Sequence, residues 1–136
     1  MKILFACIHN AGRSQMAAAF FNALADPTQA RAISAGTQPA EHVHPGVLTA
    51  MLEVGIDLSG ARPQRLTPEL AATCAWLITM GCGDECPVIP GLQRDDWPLA
   101  DPRGQGADAV RVIREDVRAR VTAFVATHGW GRPPAT

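Results

Sequence analysis

The chain has 136 residues, enough for one domain with a substantial core. Its formal net charge of −1 excludes a general attraction to nucleic acid or to anionic membranes, so any anion must be bound locally. No apolar run approaches the length of a membrane span, and the apolar N-terminal segment is too short for a signal peptide. We therefore expect a cytoplasmic protein, in which four cysteines indicate catalysis, redox chemistry or metal binding rather than structural disulfides.

The first predicted strand leads directly into a loop that contains a cysteine. Residues 3–6 are apolar and uncharged, as in a buried parallel strand, and Cys7 follows them. Arg13 and Ser14 then open a run of helix-forming residues. Between Cys7 and Arg13 lie five residues: Ile8, His9, Asn10, Ala11 and Gly12. Backbone N–H groups are unpaired where a helix begins, so residues 8–13 form a candidate oxyanion-binding loop.

The spacing of this loop has a chemical logic. Successive amides can curl into a nest for an oxyanion, and Arg13 can close the nest as a bidentate donor. A cysteine at its mouth should exist largely as the thiolate, and Ser14 can donate a hydrogen bond to it. The alternative is a buried cysteine followed by an ordinary helix. The flanking strand, Gly12 and the helix favour an anion loop with a nucleophile.

Strands and helices alternate along the rest of the chain. We predict strands at residues 3–6, 30–34, 76–80 and 94–97, and helices after Ser14 to about residue 24, at residues 45–54, from Thr67 and at residues 107–128. This alternation predicts an α/β fold of three layers. A doubly wound, four-stranded parallel sheet would carry the anion-binding loop after its first strand.

Two predicted helices have a clear apolar face. In the helix that begins at Pro45 it comprises Val47, Leu48, Met51, Leu52 and Val54. In the last helix it comprises Val110, Ile113, Val117, Val121 and Phe124. The sequence has no repeats and no change in composition, so we expect a single domain over residues 1–128 and a flexible tail over residues 129–136.

Three candidate residues come directly after predicted strands. Cys7 follows the first strand, Cys82 the third and Asp101 the fourth. Ligands of doubly wound sheets bind beyond the carboxyl ends of the strands, so these side chains should share one edge. Asp101 with Pro102 is, taken alone, a common turn dipeptide. Its position opposite the Cys7 loop favours a general acid.

A second pair of thiols, Cys82 and Cys86, stands in a loop with glycine and proline. A metal site would need three or four ligands, and the sequence shows no matching pair. A disulfide needs a Cβ separation of about 3.8 Å, closer than the roughly 5–6 Å of positions four apart on a helix. Gly81, Gly83 and Pro87 permit the non-helical backbone that a bridge requires. Redox chemistry is therefore favoured, and two unrelated loop thiols remain the alternative.

The other cysteine and histidines receive simpler interpretations. Cys74 lies among alanines on a short helix and is expected to be a small core residue. His42 and His44 lie in a loop, where ligation of a metal is not favoured. Within the anion loop, Asn10 can hold the backbone through its amide and tolerates a positive φ. His9 is expected to point away from the anion.

Five segments carry a resemblance to a known family: CIHNAGRSQMA at residues 7–17, SAG at 34–36, MLEVGIDLS at 51–59, CGDECP at 82–87 and DWPLADP at 96–102. They resemble the thioredoxin-coupled arsenate reductases, which share the fold of the low-molecular-weight protein tyrosine phosphatases. The resemblance extends over residues 2–127. The anion loop is common to both groups, whereas the CGDECP segment is typical of the reductases.

The resemblance implies a mechanism and a set of partners. Cys7 would attack arsenate, and Asp101 would protonate the departing hydroxyl. Cys82 would then attack Cys7 and release arsenite, and Cys86 would move the disulfide outward for reduction by thioredoxin. Phosphate or sulfate would compete for the loop. No bound cofactor is implied, and we expect a monomer that detoxifies arsenic.

Many relatives also bind potassium near the anion loop through an asparagine, a serine and two acids. Asn10 and Ser34 match this set, but Ala18 and Gln64 stand where the acids would be. Potassium is therefore left open as a cofactor.

Two other functions remain. A phosphatase acting on phosphotyrosine or small phosphoesters would leave the Cys82 pair incidental. Family phosphatases usually place an aromatic residue beside the Asp-Pro turn, whereas Arg103 follows here and the chain has no tyrosine, which favours the reductase. A non-catalytic thiol protein that senses arsenic or metal would need neither Arg13 nor Asp101.

Overall fold

A parallel four-stranded sheet organises the protein in a computed structural model that describes residues 1–81 and 90–132. Its strands are β1 (Lys2–Cys7), β2 (Arg31–Gly36), β3 (Trp76–Thr79) and β4 (Gln93–Asp96). Their order is β2-β1-β3-β4, and all three pairings are parallel. The predicted α/β class and the four-stranded parallel sheet are confirmed. Since β1 is a central strand and Cys7 is its last residue, Cys7 lies in the middle of the sheet's carboxyl edge.

Within the described ranges four helices cover the sheet: α1 (Arg13–Leu24), α2 (Pro45–Leu52), α3 (Pro68–Ala71) and α4 (Ala107–His128). α1 ends just before Asp26 and Pro27, as predicted. α3 has the predicted cap: the Leu70 N–H donates to Thr67 Oγ1 at 3.1 Å. Pro68 occupies the first helical position, where no N–H is needed.

The alternation of side chains along β1 divides the core into two layers. Ile3, Phe5 and Cys7 belong to the larger apolar cluster, which includes residues of α1, α2 and α4. Leu4 and Ala6 belong to a smaller cluster on the other face, beside α3. Cys7 therefore faces the same side of the sheet as α1.

The predicted apolar face of α4 is confirmed, since all five of its residues are buried. The face predicted for α2 is partly wrong, because Leu52 is 59% exposed. The buried stripe of α2 consists of Val47, Ala50 and Met51, which follow the spacing of three and four residues. Leu52 lies one residue, about 100°, away from that stripe.

Residues 129–132 are packed rather than frayed, so the predicted flexible tail begins too early. Trp130 is buried and stacks on His128 with ring centroids 4.4 Å apart. Its carbonyl accepts a hydrogen bond from the Asp26 N–H at 2.7 Å, and the Arg132 N–H donates to the Leu24 carbonyl at 3.2 Å. A large aromatic ring holds this segment against α1. Residues 133–136 lie outside the described residues.

Neither residues 1–81 nor residues 90–132 include a helix that is long and apolar enough to span a membrane.

Candidate active site

Cys7 lies at the base of the predicted anion loop. It is the last residue of β1 and is only 2% exposed. Its Sγ lies 2.9 Å from Ser14 Oγ, on the first turn of α1. The strand and the helix thus bring together the two residues that the sequence places seven positions apart.

Asn10 makes a second hydrogen bond to the Ser14 hydroxyl. Its Nδ2 donates to Ser14 Oγ at 2.8 Å, so the Ser14 oxygen already accepts one bond. When Cys7 is ionised, the Ser14 hydroxyl donates to Cys7 Sγ, because a thiolate can only accept, and this bond stabilises the thiolate. Asn10 is fully buried and has a φ of 50°, the positive value that the sequence analysis expects.

The backbone of the loop turns its carbonyls away from its interior. The carbonyls of Ile8, His9 and Ala11 accept N–H groups of residues 38, 40 and 44 at 2.8–2.9 Å. The N–H groups of residues 8–13, in contrast, donate to no other described residue. Unpaired amides in a curled loop at a helix start form a nest for an oxyanion.

Two glycines allow other segments to approach this loop closely. A Cβ at Gly12 would lie 2.6 Å from Pro102 Cγ. A Cβ at Gly36 would lie 2.6 Å from the Ile8 carbonyl oxygen. Both distances are too short for a side chain, so glycine is required where the Asp101 turn and the end of β2 pack on the loop.

Arg13 is a buried cation at the start of α1. Its Nη1 donates to the Leu99 carbonyl at 3.1 Å, and its Nη2 lies 3.6 Å from Asp101 Oδ2. The backbone of Gly81, with a φ of +91°, passes so close that a Cβ there would overlap Arg13 Nη1. The guanidinium is thus confined between the end of β3 and the segment that follows β4.

Asp101 lies opposite the loop, as predicted. Its Oδ1 accepts the Arg103 N–H at 2.9 Å, the bond that makes it a turn residue. Its other oxygen faces Arg13, and its side chain is 43% exposed. The turn role and the general-acid role are therefore compatible in one residue.

The histidines near the loop face outward or lie at its rim. His9 Nε2 lies 3.4 Å from Arg103 Nη1, on the outside of the loop. His44 precedes α2, and partial burial lowers its pKa, although nearby Asp101 opposes that shift. His42 is exposed beside Glu41. In the described part of the chain no three His, Cys, Asp or Glu residues are grouped to hold a metal ion.

The remaining cysteines fall into two groups. Cys74 is buried in the smaller apolar cluster beside α3, so the expected core role is confirmed. Cys82 and Cys86 lie outside the described residues. Gly81, the residue before Cys82, is in contact with Arg13.

Behind the loop lie four residues that we call the amide cluster: Asn10, Gln15, Ser34 and Gln64. Gln15 Nε2 donates to the main-chain oxygen of Asn10 at 3.0 Å and to Asn10 Oδ1 at 3.3 Å. The backbone N–H of Gln64 donates to Asn10 Oδ1 at 2.9 Å, and its Nε2 donates to the Ser34 carbonyl at 2.9 Å. These oxygens are therefore occupied by N–H donors, and the cluster does not fit a potassium ion.

Sequence reasoning missed several of these contributors. Gln15 and Leu99 support the loop and Arg13 through bonds that no spacing rule predicts. Gly81 is interpreted from sequence only as a source of plasticity, but the structure shows that it makes room for Arg13. The signal that could have identified this role is a glycine directly after a predicted strand, because glycine in such a place often marks a close approach of another group.

The chain is similar to known proteins over most of its length. Residues 2–129 match the family of low molecular weight phosphotyrosine protein phosphatases. A predicted arsenate reductase of Halobacterium salinarum is 38% identical over 126 residues, which cover 88% of this chain and 87% of that protein. The glutaredoxin arsenate reductase of Synechocystis sp. is 35% identical over 128 residues, covering 92% of this chain and 96% of that one.

A solved structure extends this similarity to three dimensions. The thioredoxin-dependent arsenate reductase of Corynebacterium glutamicum superimposes with a TM-score of 0.80 at 37% identity. The match covers 93% of this chain and 60% of the Corynebacterium chain. The present chain therefore spans less than two thirds of that relative.

Proposed function

The chain belongs to the low molecular weight phosphotyrosine protein phosphatase family, and from that premise we propose that it is an arsenate reductase that converts arsenate to arsenite. One observation carries the proposal: the Cys7 thiol bonds to Ser14 at the base of a loop whose amides donate to no other described residue. Such a loop suits a tetrahedral oxyanion. The named activity of the similar relatives selects arsenate, and arsenic detoxification would be the benefit to the cell.

In the first step the Cys7 thiolate attacks the arsenic atom of arsenate. The amides of residues 8–13 and the Arg13 guanidinium hold the arsenate oxygens and offset their charge. An S–As bond forms as one As–O bond breaks. Before the attack the Ser14 hydroxyl stabilises the thiolate, so the nucleophile is ready when the anion binds.

The departing oxygen needs a proton, which Asp101 is placed to supply. Its Oδ2 faces Arg13, the residue that would contact the bound anion. Transfer of the proton lets the oxygen leave as water rather than as hydroxide. Asp101 would then be reprotonated from solvent, to which its side chain is partly exposed.

The second stage is a thiol relay through Cys82 and Cys86. Cys82 attacks the Cys7 sulfur, the S–As electron pair passes to arsenic, and arsenite leaves. This two-electron reduction of arsenic is balanced by the Cys7–Cys82 disulfide. Cys86 then attacks Cys82 and frees Cys7. A Cys82–Cys86 disulfide remains for an external reductant.

That reductant is proposed to be thioredoxin. Two internal thiols after the nucleophile can gather the oxidation into one disulfide, which a dithiol protein can reduce by exchange. The Corynebacterium relative is named thioredoxin-dependent, whereas the Synechocystis relative is named for glutaredoxin. We therefore include glutaredoxin as the comparison reductant.

We further propose that the chain acts as one domain and that the protein works as a monomer in the cytoplasm. Phosphate and sulfate are expected to compete with arsenate, because both are tetrahedral oxyanions that the same amides can bind.

A phosphatase is the second candidate, since Cys7, Arg13 and Asp101 would suffice for phosphoryl transfer. The rim of the site argues against an aryl phosphate as the main substrate. Arg103 lies beside His9 next to the Asp101 turn, where a phosphatase of this family usually has an aromatic residue. A charged rim fits a small inorganic oxyanion better than an aromatic ring.

The decisive assay measures arsenite formed with arsenate, thioredoxin, thioredoxin reductase and NADPH. The wild-type protein should turn over many times, and Cys7→Ser should be inactive. Cys86→Ser should release about one arsenite per chain, as expected when thiol–disulfide exchange stops after one cycle. Cys82→Ser should bind arsenic without releasing arsenite.

Two results would reject the proposal in different ways. Hydrolysis of p-nitrophenyl phosphate without arsenite formation would favour the phosphatase. Repeated turnover of Cys86→Ser with thioredoxin would remove Cys86 from the relay. Non-reducing peptide mapping by mass spectrometry identifies the disulfide in each case.

A further inference from the structure

We propose that the amide cluster replaces the potassium ion expected from the family resemblance, and that the Gln15 side chain and the backbone N–H of Gln64 position Asn10. The protein should then bind its oxyanion without a monovalent cation. The inference concerns the same loop as the proposed function and rests on it only for the activity measurement.

The hydrogen bonds of the cluster use oxygen atoms that a cation would need. A potassium ion is held by oxygen atoms that replace its hydration shell. Asn10 Oδ1, which would be one of these oxygens, already accepts two N–H groups, as many as its lone pairs allow. The Ser34 carbonyl accepts Gln64 Nε2, and Ala18 offers no ligand atom. Donor hydrogens would repel a cation at this position.

The charge balance gives the same result. Two carboxylates with one potassium ion would leave a net negative charge behind the anion loop. The amide cluster is neutral, so it adds no repulsion toward a thiolate or an oxyanion. Replacing both acids therefore removes the need for the ion.

Asn10 connects the rest of the cluster to Ser14 and so to the nucleophile. Gln15 and Gln64 fix Asn10 at Oδ1, and Asn10 Nδ2 donates to Ser14 Oγ, which contacts Cys7 Sγ. A change at Asn10 Oδ1 should therefore alter the orientation of Ser14. The reactivity of Cys7 is the property that reports on it.

The first experiment compares the wild-type protein in potassium chloride and in tetramethylammonium chloride at equal ionic strength. We measure the Tm and the rate at which iodoacetamide alkylates Cys7 at one pH, using the mass of the Cys7 peptide. Both should agree between the salts to within about twofold in rate and about 1 °C in Tm, because an ion that binds only the folded state would raise the Tm. A several-fold acceleration or a clear rise in Tm caused only by potassium would overturn the proposal.

The second experiment introduces the missing charge with Gln64→Glu. Gln64 lies on the solvent side of the cluster, so the variant should fold. In tetramethylammonium the new carboxylate should slow Cys7 alkylation several-fold, and potassium should restore part of the rate. The matched control Gln93→Glu, on the exposed strand β4, should respond to neither change.

Equal behaviour of Gln64→Glu and Gln93→Glu in both salts would show that a charge in the cluster does not affect the nucleophile, which would overturn the proposed replacement of the ion by a neutral cluster. Failure of the proposed function would look different: the wild-type protein would form no arsenite in either salt, while the alkylation pattern remained.

Discussion

Two arginine–carboxylate contacts in this molecule have the same chemistry but different geometry. Glu53 after α2 is enclosed by Arg111 and Arg114 of α4, with N–O distances of 2.7–3.2 Å. In the candidate active site, Arg13 Nη2 is 3.6 Å from Asp101 Oδ2, too far for a hydrogen bond. We call the Glu53 contact closed, because hydrogen bonds join its charged groups. We call the contact between Arg13 and Asp101 open, because no hydrogen bond joins them.

The difference separates a structural role from a ligand-binding role. Hydrogen bonds from Arg111, and then from Arg114, lower the pKa of Glu53 to about 2. Arg13 is more buried than either, yet among the described residues it makes one hydrogen bond, to the Leu99 carbonyl. A buried cation costs free energy unless it is paired, and the Arg13 donors that no described residue occupies are available to the proposed oxyanion.

The largest expected effect comes from replacing each arginine by lysine. Arg13→Lys should lower kcat/KM for arsenate by about 100- to 1,000-fold, because an ammonium cannot replace a bidentate donor to the oxyanion. The matched change Arg111→Lys should leave kcat/KM within about twofold, since an exposed pair contributes little. Similar losses in both variants, measured as arsenite formation, would remove the distinction between the two contacts.

The next effect tests the carboxylate of the open contact. Asp101→Asn should lower kcat by about 100-fold with little change in KM, because a general acid acts in the transition state. Asp57→Asn is the matched control: Asp57 Oδ1 accepts the Ser59 N–H at 2.8 Å in the same kind of turn. A change in KM alone for Asp101→Asn would mean that Asp101 is only a turn residue.

A smaller effect should follow from crowding Arg13 without changing its charge. Gly81→Ala should lower kcat/KM by about tenfold, because its Cβ would displace the guanidinium by a fraction of an ångström. Gly91→Ala is a close control, since Gly91 has a φ of +87° and a Cβ there would meet no described residue within 4 Å. Both variants share the backbone strain. Equal activity losses would therefore assign the effect to strain rather than to Arg13.

The parts of this site that follow from the succession of strands and helices along the chain could be predicted from the sequence. The strand before Cys7, the helix from Arg13 and the parallel sheet follow from local patterns, and these bring Cys7, Ser14 and Asp101 to one edge. The pairing partners of each side chain do not follow from such patterns. The open contact of Arg13 depends on the path of residues 97–101 after β4, which no local pattern encodes.

Long-range partners explain the other missed features. Gln64 reaches Asn10 because residues 64–66 pair with the end of β2 across more than 25 residues of sequence. Trp130 holds the segment after α4 because a pocket formed by Phe21 and Phe124 receives its ring. Composition alone made that segment resemble a tail. In both cases packing against distant elements decided the structure.

The smallest effect concerns the closed contact. Glu53→Gln should leave kcat/KM unchanged and lower the Tm by only a few degrees, as expected for one surface ion-pair network. The folded protein holds the pKa of Glu53 at about 2, below its ordinary value of 4.5. A group with a lowered pKa stabilises the fold above its unfolded pKa and loses that contribution as the pH falls toward the folded one. The difference in Tm between wild type and variant should therefore be constant above about pH 5 and disappear near pH 2. A loss of arsenite formation in Glu53→Gln would mean that the closed contact also serves the site, and the distinction between the two arginine–carboxylate contacts would fail.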